Sequence, residues 1–226
     1  MARPSTTVQA ISDFIAGCKA DGVWSKITEA YLMAGVTFGG ITVKLKGTGT
    51  LTNNNFVSGD YQATGVGAGL AGDGSTKYID TGLLWGSVNS NSFSFSVYST
   101  IDGVGPMITV RANSHEIYDA GSFKALRADN NYINNLSGGV GFDIVTKKTI
   151  SESEGFFNGT SIGVDVPDQN DPLNSDEFTL FNRSSFWYSG ALTFAHIGTG
   201  LTDTDASNLT NRVETLMDAL GCGVIS

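Results

Sequence analysis

Short stretches that alternate apolar and polar residues, separated by tight-turn dipeptides, constrain this chain more than any other feature. Phe93-Ser94-Phe95-Ser96-Val97 puts three apolar side chains on one side of an extended segment and two serines on the other. That two-residue period belongs to a strand. Phe157-Asn158-Gly159-Thr160 sets Asn-Gly between apolar runs. It predicts a two-residue hairpin, because both central residues of a type I′ turn need positive φ. Asp102-Gly103, Asp119-Ala120-Gly121 and Ser137-Gly138-Gly139 mark further turns. Strand candidates at 107–111, 122–127, 142–146, 155–157 and 178–181 lie among them. Many short strands at such spacing predict an antiparallel sandwich.

The ends read differently. Ala10, Phe14, Ile15 and Cys18 share one helical face within 5–18, and Val23, Ile27 and Tyr31 continue a stripe, so 23–32 is read as a second helix. Ile41 to Lys46 alternates as a strand, and Asn53 to Gly74 reads as loop with at most one short strand. A C-terminal helix is capped by Thr202 with Asp205 three residues on, an acidic variant of the capping box. Its stripe is Ala206, Leu209, Val213, Leu216, Met217 and Leu220, and Gly221 ends it. The expectation is one domain over 1–226: a helical lead-in (1–36), a sandwich (37–200) and a helix (202–221) packed outside.

Several of these segments occur in the order found in a known family. They are Gly72-Asp73-Gly74-Ser75-Thr76-Lys77-Tyr78-Ile79-Asp80-Thr81-Gly82, Phe93 to Val97, Phe157 to Thr160, and Tyr188 to Gly198 running into Leu201-Thr202-Asp203-Thr204-Asp205. Together they resemble the concanavalin A-like, laminin-G-type jelly-roll domains, especially those of tailed-phage virion proteins. Asp21-Gly22-Val23-Trp24 is similar to the lead-in of such phage relatives. The resemblance covers roughly residues 20–221 and implies an all-β, antiparallel jelly-roll β-sandwich with helical ends. It also implies symmetric oligomers, commonly trimers, assembled with other virion proteins. Fold does not fix function.

Composition excludes some functions. A net charge of −9 opposes nucleic-acid binding, which needs a basic footprint. The apolar runs are too short for a bilayer, so membrane insertion is not expected. Met1-Ala2-Arg3-Pro4-Ser5 has no apolar run after it, which predicts synthesis in a host cytoplasm without a cleaved secretion signal. Cys18 and Cys222 read either as a clasp between the ends or as buried thiols, the second being preferred.

Catalysis is not expected. Sandwich glycosidases resembling this chain use a Glu-x-Asp-x-x-Glu pattern that does not occur. Glu152-Ser153-Glu154 would put two carboxylates on one face roughly 7 Å apart, near the roughly 5–5.5 Å a retaining glycosidase needs. The preferred reading is a solvated edge. His115 lies in a polar stretch read as a surface loop, and His196 shares a strand face with Leu192 and Phe194 as a core histidine. No cofactor is required. Asp165, Asp168, Asn170 and Asp171 form an oxygen-rich segment suited to calcium, with a polar turn before a strand as the preferred alternative. For glycan stacking or a subunit interface the candidates are Trp85, Tyr98, Trp187 and Tyr188. Phe186-Trp187-Tyr188 cannot all face one core from a strand, so one ring meets solvent or a partner.

The first expectation is therefore a phage virion surface protein, a capsid decoration or tail-fibre component aiding host adhesion. A carbohydrate-binding lectin module is the alternative, and a glycan-cleaving enzyme ranks third.

Overall fold

The computed structural model describes residues 6–110, 115–128, 131–135, 139–166 and 175–225. Two helices, α1 (Thr6–Ala20) and α2 (Asp203–Ala219), flank the strands. The first six are β1 (Ile27–Leu32), β2 (Lys44–Lys46), β3 (Thr52–Asn54), β4 (Tyr61–Gln62), β5 (Gly69–Ala71) and β6 (Tyr78–Leu84). Then come β7 (Phe93–Ile101), β8 (Gly105–Val110), β9 (Glu116–Asp119), β10 (Lys124–Arg127), β11 (Ile133–Asn135) and β12 (Gly141–Thr149). The last are β13 (Glu152–Phe157), β14 (Thr160–Asp165), β15 (Glu177–Leu180), β16 (Asn182–Arg183), β17 (Phe186–Trp187) and β18 (Ala191–Gly198).

These strands build an antiparallel jelly-roll sandwich. One sheet runs β14-β13-β12-β7-β18-β1-β2, with β5 also pairing β18 and β4 pairing β5. The other runs β11-β10-β9-β8-β15-β6-β3, and β16-β17 form a separate ribbon. The predicted hairpin joins β13 to β14: Asn158 and Gly159 take φ of 50° and 78°, as a type I′ turn requires.

Strand alternation divides the apolar side chains between two cores. Phe93, Phe95 and Val97 face inward with Ile117, Leu126, Phe178 and Leu180 between the sheets. Tyr98, Phe142, Ile144 and Phe194 face outward from the first sheet, where Phe14, Cys18, Leu209, Val213 and Met217 of the two helices cover them. Both helices therefore pack on the larger sheet. Cys18 and Cys222 are buried free thiols in this second core.

Three local expectations are corrected. Residues 23–32 are not a helix but one 3-10 turn (Val23–Lys26) followed by β1, so the sheet begins at Ile27 rather than at 37. β1 lies between β18 and β2 and is covered on both faces, with Ala30, Tyr31 and Leu32 all buried. A doubly covered strand lacks the two-residue alternation and mimics a helical stripe. Ile41 and Thr42 belong to a 3-10 turn, leaving only Lys44–Lys46 as strand. The segment 53–74 holds most of β3 and all of β4 and β5, where one strand at most was expected.

The C-terminal helix forms as its sequence predicts. Thr202 Oγ1 accepts from the Asp205 N–H at 3.2 Å, and Asp205 Oδ2 accepts from the Thr202 N–H at 2.8 Å. Asp205 is also held by Lys26, which ties the helix start to the turn before β1. Thr202→Ala should lower the unfolding free energy by about 1 kcal/mol, read as a lower urea midpoint at unchanged slope.

Candidate functional site

Both helices cover the larger sheet, so the outward face of the smaller sheet is the one they leave free. On β9, β10 and β11 the inward positions are Ile117, Leu126 and Ile133. Alternation then turns Glu116 and Tyr118, Ala125 and Arg127, and Tyr132 and Asn134 outward. Phe123 precedes β10 on the same side. Glu116, Tyr118, Phe123, Ala125, Tyr132, Asn134 and Arg183 line a groove of about 330 Å³, with Arg127 beside it against the Tyr132 ring. Arg183 comes from the β16–β17 ribbon, whose turn is fixed by Asn182: its Nδ2 donates to the Ser184 and Phe186 carbonyls, each at 3.1 Å. Ser184 carries the positive φ of that turn, 53°.

In and around the groove, exposed rings accompany two held cations. Phe123, Tyr132 and Phe186 are 36%, 49% and 52% exposed. Arg127 lies over the Tyr132 ring at 4.6 Å and donates to its hydroxyl at 2.9 Å. Arg183 sits 5.7 Å from the Tyr118 ring and 5.2 Å from that of Phe186. Both guanidiniums meet Glu116 Oε1, Arg183 by a close hydrogen bond and Arg127 at 3.9 Å. Glu116 is 1% exposed, and its Oε2 has no hydrogen-bond partner among the described residues. Burial pushes its carboxyl up from the ordinary range, against the pull of Arg183 and Arg127. The guanidiniums are pre-oriented by ring and carboxylate contacts, so little freedom is lost when they donate to a ligand. Flat apolar ring faces beside fixed charged donors suit a sugar ring: its C–H face packs on an aromatic and its hydroxyls or carboxylate take the donors.

The sequence candidates lie mostly elsewhere. Trp85, Tyr98 and Tyr188 are fully buried, which removes them from sugar stacking and from any interface. Trp85 fills the inter-sheet core, Tyr98 packs under the helices, and Tyr188 donates to the Ile101 carbonyl at 3.0 Å. Trp187 is half-buried, and of the three consecutive aromatics Phe186 is the one turned to solvent.

The metal candidates do not assemble among the described residues. Asp165 ends β14 and accepts from Asn131 Nδ2 at 3.5 Å, while Asp168, Asn170 and Asp171 lie outside the described residues. No metal-holding group of three His, Cys, Asp or Glu occurs among the described residues.

Nor do Glu152 and Glu154 form a free carboxylate pair on a solvated edge. Glu154 is buried, bonded to Lys148 and to the Ser161 hydroxyl, and Glu152 lies 3.3 Å from the same lysine. His115 is no surface loop residue: it is buried with its ring 4.2 Å from that of Trp85. His196 is the buried core histidine expected, held by Ser94 at 3.1 Å and Ser96 at 2.5 Å. Its supposed facemate Leu192 points into the inter-sheet core instead, because an irregularity between Leu192 and Phe194 shifts the register.

No protein-family model and no curated protein sequence matches the chain. Solved structures do match. A mutant of Trypanosoma rangeli sialidase displaying trans-sialidase activity aligns with a TM-score of 0.57 at 10% identity, over 92% of this chain and 39% of that one. The binding domain of botulinum neurotoxin serotype D aligns at 0.55 and 10% identity, over 83% and 52%. Domain 4 of a GH43 extracellular arabinanase from Geobacillus stearothermophilus, solved in complex with arabinotriose, aligns at 0.50 and 14% identity, over 82% and 98%. The chain thus spans well under two thirds of the sialidase and neurotoxin chains. At these identities the likeness establishes the fold alone, a β-sandwich.

Proposed function

We propose that this chain is a glycan-recognition module whose ligand lies in the groove of the smaller sheet. The observation that carries this reading is the set of exposed rings interleaved with Arg127 and Arg183 on the one sheet face the helices leave open. Two guanidiniums favour a glycan bearing a carboxylate, since bidentate pairing is the strong mode for that group. Among the described residues lining the groove the one carboxylate is Glu116, already engaged by both arginines, so the site is built to hold rather than to cleave. Neighbours of known structure that include a neurotoxin binding domain and an arabinanase domain in complex with arabinotriose are consistent with this use of the fold.

The sequence resemblance supports a setting for the module. It is the surface of a tailed-phage virion, in a symmetric oligomer with a trimer favoured, as a capsid decoration or tail-fibre component that adheres to host glycans. The protein would be made in the host cytoplasm.

Calorimetric titration with a panel of acidic and neutral oligosaccharides tests the proposal. An acidic member should bind, and Arg183→Gln should weaken it by about 10–100-fold, the worth of a charge-assisted hydrogen bond. Tyr132→Ala, whose ring is half exposed, should weaken it too while leaving the melting temperature close to that of the wild type. No binding by any member, or wild-type affinity in both variants, would contradict it.

A further inference from the structure

Between the sheets lies a charged group that neither the apolar core nor the groove employs. Lys124 of β10 and Asp143 of β12 are both fully buried, with Nζ 2.9 Å from Oδ2. β10 belongs to the smaller sheet and β12 to the larger, so this contact spans the sandwich. Lys124 Nζ also donates to the Gly139 carbonyl at 2.6 Å and to Ser99 Oγ at 3.1 Å, and the Phe157 ring lies 5.6 Å away. The amine is thus aimed at the carboxyl and shielded from water.

A second buried acid lies on the neighbouring strand. Asp119 is directly opposed to Lys124 across the β9–β10 ladder, and it is 2% exposed. Opposed residues in an antiparallel pair share a face. Burial pushes the Asp119 carboxyl up, against the hydrogen bonds from the Gly121 and Gly103 N–H groups and the charge of Lys124. Asp102 Oδ1 lies 4.0 Å from Nζ on the solvent side. One lysine among these carboxylates, out of water, is an expensive arrangement for separate charges. A neutral amide in the same place would carry no such penalty.

We propose that Lys124 and Asp143 condense after folding into an intramolecular isopeptide bond that staples the two sheets, with Asp119 as the proton carrier. A proton passes from the Lys124 ammonium by way of the Asp119 carboxyl to the Asp143 carboxylate, leaving a neutral amine against a neutral acid. Nζ attacks Cγ of Asp143. The Nζ–Cγ bond forms, a Cγ–Oδ bond breaks, and the departing oxygen takes a second proton from the nitrogen and leaves as water. Asp119 returns to its starting state. Nothing is oxidised or reduced, and no external reactant is consumed.

Mass spectrometry of the denatured wild-type protein decides it. The intact mass should be lower than that of the sequence by one water. Tryptic digestion should leave the bond after Lys124 uncut and yield one branched peptide joining the Lys124 and Asp143 segments. The full sequence mass overturns the proposal. So does a lost water mapped to an Asp-Gly succinimide, such as Asp102-Gly103, with normal cleavage after Lys124. Asp119→Asn keeps both reacting groups and should retain the full, unlinked mass; complete linkage in that variant would overturn the role of Asp119. The wild-type peptide map stands as the test even if a variant fails to fold.

Discussion

Trp85→Ala is expected to lower the unfolding free energy by about 3–5 kcal/mol, the cost of removing a fully enclosed aromatic. Its indole is sealed between the sheets, with ring centroids 5.0 Å from Phe93, 6.0 Å from Phe178 and 4.2 Å from His115. These neighbours are themselves locked in strands or buried, so the site cannot collapse to fill the void. Trp85→Phe should lose less, because a ring remains and because the indole Nε1 has no acceptor among the described residues. Denaturant titration of the two variants measures the difference. Equal, small losses would mean that this end of the core is loosely packed. The same burial means that sugar should leave Trp85 fluorescence largely unchanged.

A large, pH-dependent loss of stability is expected from His196. Burial holds its imidazole down from 6.5 to about 3. The folded-state value is depressed, so the stabilisation is present above the unfolded-state value and lost as pH falls. Below about pH 6.5 the unfolded chain binds a proton that the folded chain refuses. The loss is roughly 1.4 kcal/mol per pH unit, reaching about 4–5 kcal/mol once the folded-state value is passed. Glu116, Asp119 and Glu214, whose carboxyls burial pushes up, act in the opposite sense. The readout is therefore the difference in pH slope between the wild type and His196→Asn, which should lack this component. In the folded protein the His196 ring resonances should not move across the range in which a free imidazole titrates. Titration there would show that the Ser94–His196–Ser96 cluster opens to water.

Elements set by local chemistry were legible in the sequence. The Asn158-Gly159 hairpin, the alternation of Phe93, Phe95 and Val97, and the Thr202–Asp205 cap each rest on a few adjacent residues, and each has its expected form. β1 was not legible, because its burial on both faces is imposed by β18, β2 and the helices. The irregularity at Leu192 flipped one side chain without leaving a turn signal. The groove was missed for a related reason. Glu116-Ile117-Tyr118 and Tyr132-Ile133-Asn134 each carry a core isoleucine between two outward residues, and that shared pattern was the available signal. Only folding brings them together, and Arg183 joins from a ribbon far along the chain. Trp85, Tyr98 and Tyr188 are ring-stacking candidates by residue type alone, yet large aromatics mostly serve the core.

One groove carries the proposed glycan binding. Amide and side-chain NMR shifts of isotopically labelled protein, titrated with the acidic oligosaccharide that binds best in the panel, report its position directly. The shifts should concentrate on Glu116, Tyr118, Phe123, Ala125, Tyr132 and Arg183, and leave the helix-covered sheet unmoved. Saturable shifts centred on another face, or an undisturbed spectrum with every acidic glycan tried, would contradict it.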